Sequence, residues 1–270
     1  MNSAQFTQRL RAGELLFGTL IVSPSPMWPV AVQESGLDFV FIDTEHIALD
    51  RAQVSWMCQT YSRMGLPPLV RIPAPDPYEA AKILDGGAAG IIAPYVETAD
   101  QVQALRGAVK FRPVKGRRLA ERLAGGPFEP TLEDYVRRRN TNALVVNIES
   151  IPAIEALDKI LAVPDLDAVL IGPHDLSCSL GVPEQYDHRD FLAACETILR
   201  KARAAGVGAG IHYWGTAEEQ ARFVSYGVNL LIHSSDITLV RKHLREELAA
   251  VKKAAGKGGP AGPEAETLQI

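Results

Sequence analysis

Short apolar runs alternate with amphipathic segments along most of the chain. The apolar runs are mostly continuous, as in parallel strands that are covered on both faces. The predicted strands cover residues 16–22, 39–43, 68–72, 90–96, 143–149, 167–172, 208–213 and 229–234. The segments between them have apolar residues at helical spacing, and several begin with an N-cap residue or end before a glycine. The predicted helices cover residues 26–35, 50–64, 76–86, 98–111, 150–161, 191–205, 216–226 and 236–253.

Strands that are each followed by a helix predict an α/β fold, the single-domain (β/α)8 TIM barrel, over residues 1–255. An open, doubly wound sheet is the alternative. The segment after the first strand, SPSPMW, lacks the glycine-rich turn that such a sheet commonly has, so the barrel is favoured. The one long irregular stretch, residues 112–142, contains a short predicted helix at 131–140, and a loop of this length is often functional. The Gly/Pro-rich tail, residues 256–270, is expected to be disordered.

Composition narrows the range of partners. The 270 residues are 47% hydrophobic, enough for a sizeable core. The net charge of −4 offers no basic field for nucleic acid or for an anionic membrane surface. No apolar run reaches the roughly 20 residues that span a bilayer, and Glu14 interrupts any export signal, so a cytoplasmic protein is expected. Three widely spaced cysteines, Cys58, Cys178 and Cys195, are expected to be reduced and buried.

Candidate chemistry lies where the predicted strands end, because barrel active sites lie at the carboxyl ends of the strands. Glu149 and Asp175 end or follow neighbouring strands. Two carboxylates that converge there would repel each other unless a divalent cation joins them, and oxygen ligands suit Mg²⁺ or Mn²⁺, with Co²⁺ also possible. The alternative is that Glu149 caps the following helix and that Asp175 caps a turn. The pair is interpreted as the metal ligands.

Arg71 and His46 are the candidate catalytic residues. Arg71 ends the third strand and could bind a carboxylate or an enolate oxygen, or form a salt bridge with Glu45 or a neighbouring strand-end acid. His46 could act as a general base, with its ring oriented by Asp43 or Glu45.

Three further histidines stand near predicted strand ends. His212 and His233 could line the pocket or bond within its rim, and the side chain of His174 could point away from it. No lysine is predicted at a strand end, which disfavours Schiff-base chemistry.

These residues together resemble the HpcH/HpaI aldolase family, metal-dependent pyruvate aldolases typified by 4-hydroxy-2-oxo-heptanedioate aldolase. The resemblance is carried by five sequence blocks and spans roughly residues 15–250. The blocks are FIDTEH (41–46), LVRIP (69–73), LDGGAAGIIAPYVET (84–98), NIES (147–150) and LIGPHDLS (170–177).

The resemblance implies a divalent-metal-dependent aldolase that cleaves or forms 4-hydroxy-2-oxo acids from pyruvate and an aldehyde. Glu149 and Asp175 would hold the metal, and Arg71 would lie beside the keto oxygen. His46 would transfer protons, steadied by Asp43. The backbone around residues 173–174, that is Pro173 and His174, would receive the pyruvate carboxylate. Asn147 and Arg71 are the other predicted substrate-binding residues. The family usually forms hexamers built as trimers of dimers.

Some positions depart from the family pattern. Asn147 stands where Gln is common, Thr44 stands where Gly is common, and the loop at 115–126 carries additional arginines. These departures leave the acceptor aldehyde open. One alternative function is a decarboxylase or CoA-ester lyase of the same superfamily, acting on oxaloacetate or a citramalyl-CoA type of ester, with Arg117, Arg118 and Arg122 near the phosphates. A non-catalytic barrel scaffold is the second alternative.

Overall fold

The computed structural model describes residues 1–257 and contains a closed barrel of eight parallel strands. The strands are β1 (Leu16–Leu20), β2 (Phe39–Asp43), β3 (Pro68–Arg71), β4 (Gly90–Ala93), β5 (Ala143–Asn147), β6 (Ala168–Ile171), β7 (Gly208–Tyr213) and β8 (Leu230–Ser235). Each strand pairs with the next, and β8 pairs with β1 to close the ring. The predicted single-domain (β/α)8 barrel is therefore confirmed. Most of the predicted tail, residues 258–270, lies outside the described residues.

Helices surround the barrel, and none within residues 1–257 is long and apolar enough to cross a membrane. They are α1 (Ser3–Ala12), α2 (Trp28–Val32), α3 (Arg51–Arg63), α4 (Pro77–Asp85), α5 (Ala99–Lys110), α6 (Gly116–Leu123), α7 (Pro130–Arg139), α8 (Ile151–Glu155), α9 (Leu157–Leu161), α10 (Pro173–Ser179), α11 (Arg189–Ala204), α12 (Ala217–Ser225) and α13 (Asp236–Ala254).

Alternation along the strands separates two hydrophobic layers. On β2, Val40 and Ile42 pack with the outer helices, whereas Phe39 and Phe41 belong to the cluster that fills the barrel. Since successive side chains of a strand point to opposite faces, a strand covered on both sides is apolar throughout. This explains why the predicted strands are continuous apolar runs.

Five helices, α1, α6, α8, α9 and α10, depart from the sequence prediction. The N-terminal helix α1 was not predicted, and its Phe6 and Leu10 pack with the side chains inside the barrel. The helix predicted at 150–161 is two short helices, α8 and α9, that meet at Ala156. In the long stretch at 112–142, α6 accompanies the predicted α7, and both cover a small separate core around Phe111 and Phe128.

Candidate functional site

Polar side chains replace apolar ones where the inward-facing rows of the barrel reach the carboxyl ends of the strands. Asp43 stands two residues after the inward-facing Phe41, and Arg71 stands two residues after Leu69. Asn147 holds the same place on β5. Because strand side chains repeat their direction every second residue, these three polar groups continue the interior layer upward. The alternation of side-chain direction along each strand, which builds the core, therefore also places these polar groups at one end of the barrel.

A cavity of about 610 Å³ opens at this end. Seven of the predicted site residues line it: His46, Arg71, Asn147, Pro173, His174, Asp175 and His212. Phe41, Tyr186 and Trp214 add an aromatic wall. His174 is among the residues that line the cavity, and its Nδ1 lies 3.6 Å from Glu184 Oε1, another lining residue.

Arg71 is buried and is held by two carboxylates. Its Nε and Nη2 donate to Asp43 Oδ1 and Oδ2 at 2.8 and 2.7 Å, and its Nε lies 3.1 Å from Glu45 Oε2. Burial alone would raise the pKa of Asp43, but the hydrogen bonds and charge of Arg71 outweigh it, and the pKa is lowered. Arg71 thus has the predicted salt bridge to Glu45, has a stronger one to Asp43, and still faces the cavity.

His46 is oriented differently from what the resemblance implies. Asp43 Oδ2 accepts a bond from the backbone N–H of His46 at 3.3 Å, while the ring Nε2 lies 3.6 Å from Glu45 Oε1. Asp43 therefore fixes the backbone of this segment, and Glu45 is the carboxylate beside the ring. Of the two partners that the sequence left open for the ring, the geometry favours Glu45.

Glu149 is buried and makes no helix cap. Ser150 caps α8 by accepting from Ala153 N–H, so the capping alternative for Glu149 is wrong. Its Oε1 instead accepts from the backbone N–H of Tyr95 at 2.7 Å, and its Oε2 accepts from Asn147 Nδ2 at 2.7 Å. Burial and then the nearby charge of Asp175 raise the pKa of Glu149 against these two hydrogen bonds. These two hydrogen bonds hold the carboxylate in place.

Asp175 reaches the same spot from the first turn of α10. The two carboxylates converge on Gly172: a Cβ there would lie 2.9 Å from Glu149 Oε2 and 3.6 Å from Asp175 Oδ2. Glycine thus leaves room beside both acids. The amide oxygen of Asn147 is also buried and has no hydrogen-bond partner among residues 1–257.

A divalent cation fits this arrangement. It would offset the repulsion between the two acids, and carboxylate and amide oxygens are the ligands that Mg²⁺ and Mn²⁺ prefer. Within residues 1–257 no group of three or more His, Cys, Asp or Glu side chains forms a metal cluster. Glu149 and Asp175 would supply two carboxylates, and other coordination positions would be open to water or substrate.

His212 is partly buried in the cavity wall, whereas His233 is not part of that wall. His212 Nε2 lies 3.0 Å from the carbonyl oxygen of Ser234, and burial lowers the pKa of His212 to about 4. A proton on Nε2 would donate to that carbonyl and leave Nδ1 as an acceptor. His233 Nδ1 lies 3.0 Å from Gln220 Oε1, which indicates a structural role.

The lowered pKa of His212 predicts a pH dependence of folding. From its ordinary value of 6.5 down to about 4, the unfolded chain binds a proton at His212 that the folded chain excludes. Stability from this residue is therefore present above pH 6.5 and falls below it, by at most about 1.4 kcal/mol per pH unit. His212→Gln should flatten the dependence between pH 4.5 and 6.5 in urea unfolding, relative to the exposed control His243→Gln. Equal slopes in the two variants would contradict this.

Sequence reasoning missed Tyr95, the residue that connects two of these acids. Tyr95 has a left-handed backbone with φ of 55°, which turns its N–H toward Glu149. Its hydroxyl donates to the carboxylate of Glu45, and this bond, followed by burial, raises the pKa of Tyr95 to about 12. A positive φ at a non-glycine residue has no reliable sequence signal, so the contact could not be predicted.

One prediction about the cysteines is also wrong. Cys58 and Cys195 are buried as expected, but Cys178 is exposed. It lies on α10, one turn beyond His174, on a helix that was not predicted.

Comparison with known proteins agrees with this geometry. Residues 22–242 match the family model for HpcH/HpaI aldolase/citrate lyase. The 2-keto-3-deoxy-L-rhamnonate aldolase of Escherichia coli O6:K15:H31 (strain 536 / UPEC) is 32% identical over 262 residues, which are 94% of this chain and 95% of that protein.

Solved structures of other proteins are similar to this chain as well. The HpcH/HpaI aldolase from Desulfitobacterium hafniense DCB-2 has a TM-score of 0.79 and 27% identity, with 95% of this chain and 98% of that chain covered. Protein CitE from Mycobacterium tuberculosis, solved with magnesium and pyruvate, shares the fold with a TM-score of 0.54 at 18% identity, over 83% of this chain and 87% of that one.

The chain belongs to the HpcH/HpaI aldolase/citrate lyase family. The predicted enzyme class, a carbon–carbon lyase of the class II aldolase type, is confirmed by this membership. The family is a divalent-metal-dependent group of aldolases and lyases.

Proposed function

We propose that this chain cleaves 4-hydroxy-2-oxo acids into pyruvate and an aldehyde, and catalyses the reverse addition, through the enolate of pyruvate. The observation that carries the proposal is the convergence of Glu149 and Asp175 on Gly172. Gly172, Asp175 and Arg71 all line the cavity. The 2-keto-3-deoxy-L-rhamnonate aldolase relative supports a hydroxylated 2-oxo acid as the substrate class.

Glu149 and Asp175 would hold the cation, which we take to be Mg²⁺ or Mn²⁺, with Co²⁺ as a further candidate. When bound, it supplies positive charge that stabilises an anionic oxygen of the substrate. Tyr95 N–H and Asn147 Nδ2 keep the Glu149 carboxylate in place. The amide oxygen of Asn147, which has no hydrogen-bond partner in the described part of the chain, would accept a hydrogen bond from a hydroxyl group or water in the cavity.

Arg71 is positioned to stabilise the developing enolate. Its two bonds to Asp43 fix the guanidinium plane, and the guanidinium stays charged because the bonds to Asp43 raise its pKa against burial. A fixed charge at a developing oxyanion lowers the barrier more than a mobile one. His46, beside Glu45, would take the proton from the 4-hydroxyl group, and the backbone around residues 173–174 would receive the carboxylate.

The alternatives gain no specific support from the cavity. Arg118 pairs with Glu129, and Arg122 pairs with Glu133 and packs over Phe128. Arg117 is exposed beside Glu121. None of these three arginines is among the residues that line the cavity, so nothing there favours a CoA ester. A scaffold without activity would not account for the convergence of Glu149 and Asp175.

Exchange of the pyruvate methyl protons for deuterium tests the proposal, because it needs enolate formation and no knowledge of the aldehyde. We expect NMR to show exchange with Mg²⁺ or Mn²⁺ and its loss with EDTA. If none of the three metals supported exchange, the aldolase proposal would be overturned. Cleavage of a citramalyl-CoA type of ester by the same sample would then favour the lyase alternative, and inactivity in both assays would favour the scaffold.

We also propose that the chain assembles as a hexamer, a trimer of dimers, with α13 in a contact between copies. Asp236 is the one buried residue of α13, and large apolar side chains are exposed along the helix. They are Ile237, Leu239, Val240, Leu244, Leu248 and Val251. Exposed apolar stripes of this kind mark interaction surfaces.

Charge placed on that stripe should weaken the assembly. We expect the double variant Leu244→Glu/Leu248→Glu to elute as a smaller species, measured by size-exclusion chromatography with light scattering. The control Lys242→Glu/Glu246→Lys alters the same helix without changing its net charge. A hexamer in both variants, or a monomeric native chain, would contradict the proposal.

A further inference from the structure

His212 stands beside the point where the two acids converge. Ile211 of β7 pairs with Ile171 of β6, so His212 and Gly172 follow side by side, one residue beyond the last register pair. Neighbouring strands lie about 4.8 Å apart. Leu170, two residues before Gly172, packs inside the barrel. His212 and Gly172 therefore continue an inward-facing row, and both line the cavity.

The fold fixes which ring nitrogen of His212 is left for a ligand. The carbonyl oxygen of Ser234 lies 3.0 Å from Nε2 and can only accept, so Nε2 carries the proton. Ser234 has a left-handed backbone, with φ of 51°, where β8 has one more residue than β1 between two paired positions. Such bulges redirect groups beside active sites. Nδ1 is left as an acceptor, and within residues 1–257 it makes no hydrogen bond.

The ring of His212 is part of an aromatic wall. Its centroid lies 5.6 Å from that of Phe41 and 5.8 Å from that of Trp214, and the ring of Trp214 lies 5.8 Å from that of Tyr186. All four residues line the cavity. Because burial lowers the pKa of His212 to about 4, its ring is neutral near pH 7. The wall therefore offers apolar ring surface and one neutral hydrogen-bond acceptor.

The roles proposed above leave this wall to the aldehyde end of the substrate, since pyruvate is assigned to the acids, to Arg71 and to the start of α10. An aldehyde with a hydroxyl group on the carbon next to its carbonyl offers a donor for Nδ1 and C–H groups for the rings. A second carboxylate would find no free cation. Arg71 is the only lysine or arginine among the described residues that line the cavity, and it is bonded to Asp43.

We propose that His212 selects the acceptor: its Nδ1 accepts a hydrogen bond from the hydroxyl group of a neutral 2-hydroxyaldehyde, whose carbon chain packs on Trp214. In the 4-hydroxy-2-oxo acid this is the hydroxyl group on carbon 5. The aldehyde class rests on the proposed function and completes it. His212 keeps its proton throughout, so it acts on the binding and orientation of the aldehyde and not on formation of the enolate.

Two acceptors that differ by one hydroxyl group test this role. Lactaldehyde is 2-hydroxypropanal, and propanal lacks the hydroxyl group. NMR would follow the addition of each aldehyde to pyruvate and give the ratio of the two kcat/KM values. The two aldehydes differ in intrinsic reactivity, so the ratio of each variant is compared with the native ratio. Succinic semialdehyde is the acceptor that carries a carboxylate, and the native enzyme should use it less well than lactaldehyde.

Variants separate the acceptor nitrogen from the bulk of the ring. His212→Leu removes the acceptor, and we expect its ratio of lactaldehyde to propanal to fall about fivefold to tenfold, the effect of one neutral hydrogen bond. Its exchange of pyruvate protons should stay near the native rate. If His212→Leu does not fold, His212→Phe keeps the ring contacts and carries the same expectation.

Two further variants are the controls. His212→Gln can still donate to Ser234 and accept from a hydroxyl group, so it should keep the ratio within about twofold of native. His233→Leu removes a histidine near the end of the next strand that does not line the cavity, and its ratio should equal the native one.

Three results would overturn the inference: a native ratio in His212→Leu, an equal fall in His233→Leu, or a native enzyme that prefers succinic semialdehyde to lactaldehyde. Loss of pyruvate exchange in a folded His212→Leu would also overturn it, because the residue would then act on the enolate. Absence of exchange in the native enzyme is a different failure, which overturns the proposed function itself.

Discussion

Replacing Glu149 with Gln, or Asp175 with Asn, is expected to abolish divalent-cation binding and to slow pyruvate exchange by at least about 10²–10³-fold. Each variant removes one of the two negative charges that converge on Gly172 and leaves a side chain of the same shape. Neutral amides bind Mg²⁺ and Mn²⁺ far more weakly than carboxylates do, because the attraction depends on charge. Titration with Mn²⁺, followed by electron paramagnetic resonance, would measure binding separately from activity.

The effect on stability distinguishes a metal ligand from a structural acid. Glu149 is buried, its pKa is raised, and within residues 1–257 it forms no salt bridge. Without metal, Glu149→Gln should therefore leave the melting temperature unchanged or higher, since a buried charge is removed. The surface variant Glu196→Gln is the matched control for the assay. A Glu149→Gln protein that melts well below the native one would indicate a structural carboxylate instead.

Much of this site could be predicted because one rule places it. In a parallel barrel every strand ends at the same rim, so Asp43, Arg71 and Asn147 could be assigned to one region from their positions alone. The bonding partner of each of these three residues could not be predicted in the same way. Arg71 could pair with Glu45 or a neighbouring acid, and the observed bidentate contact to Asp43 follows from their being register neighbours on β3 and β2.

The features that escaped prediction are the ones that depend on local backbone geometry. Tyr95 and Glu184 both have a positive φ, which propensities for ordinary residues do not anticipate. Helix α10 has no side-chain hydrogen bond at its N-cap, Gly172, so its start gave no capping signal, and Cys178 was therefore not connected with His174. These contacts reach the rim from loops and short helices, where sequence periodicity carries little information.

Arg71 is expected to give a second large effect, in which stability and activity fall for separable reasons. Arg71→Ala would leave Asp43 and Glu45 as buried carboxylates without their shared cation. Breaking a buried ion pair by removing one partner typically costs about 3–5 kcal/mol of the free energy of unfolding. Urea unfolding should detect this loss, and low activity of Arg71→Ala alone would therefore say little about catalysis.

Arg71→Lys resolves the ambiguity. A lysine keeps the positive charge beside Asp43 but lacks the planar guanidinium. Only the guanidinium can make both hydrogen bonds to Asp43 from a residue that also lines the cavity. We expect Arg71→Lys to stay folded and to bind Mn²⁺ with nearly native affinity. Its exchange of pyruvate protons should fall by about 10²–10³-fold, the loss expected when one preorganised oxyanion donor is removed. If Arg71→Lys exchanged at the native rate, the guanidinium would be a structural partner of Asp43, and the enolate would have to be stabilised by the cation bound at Glu149 and Asp175.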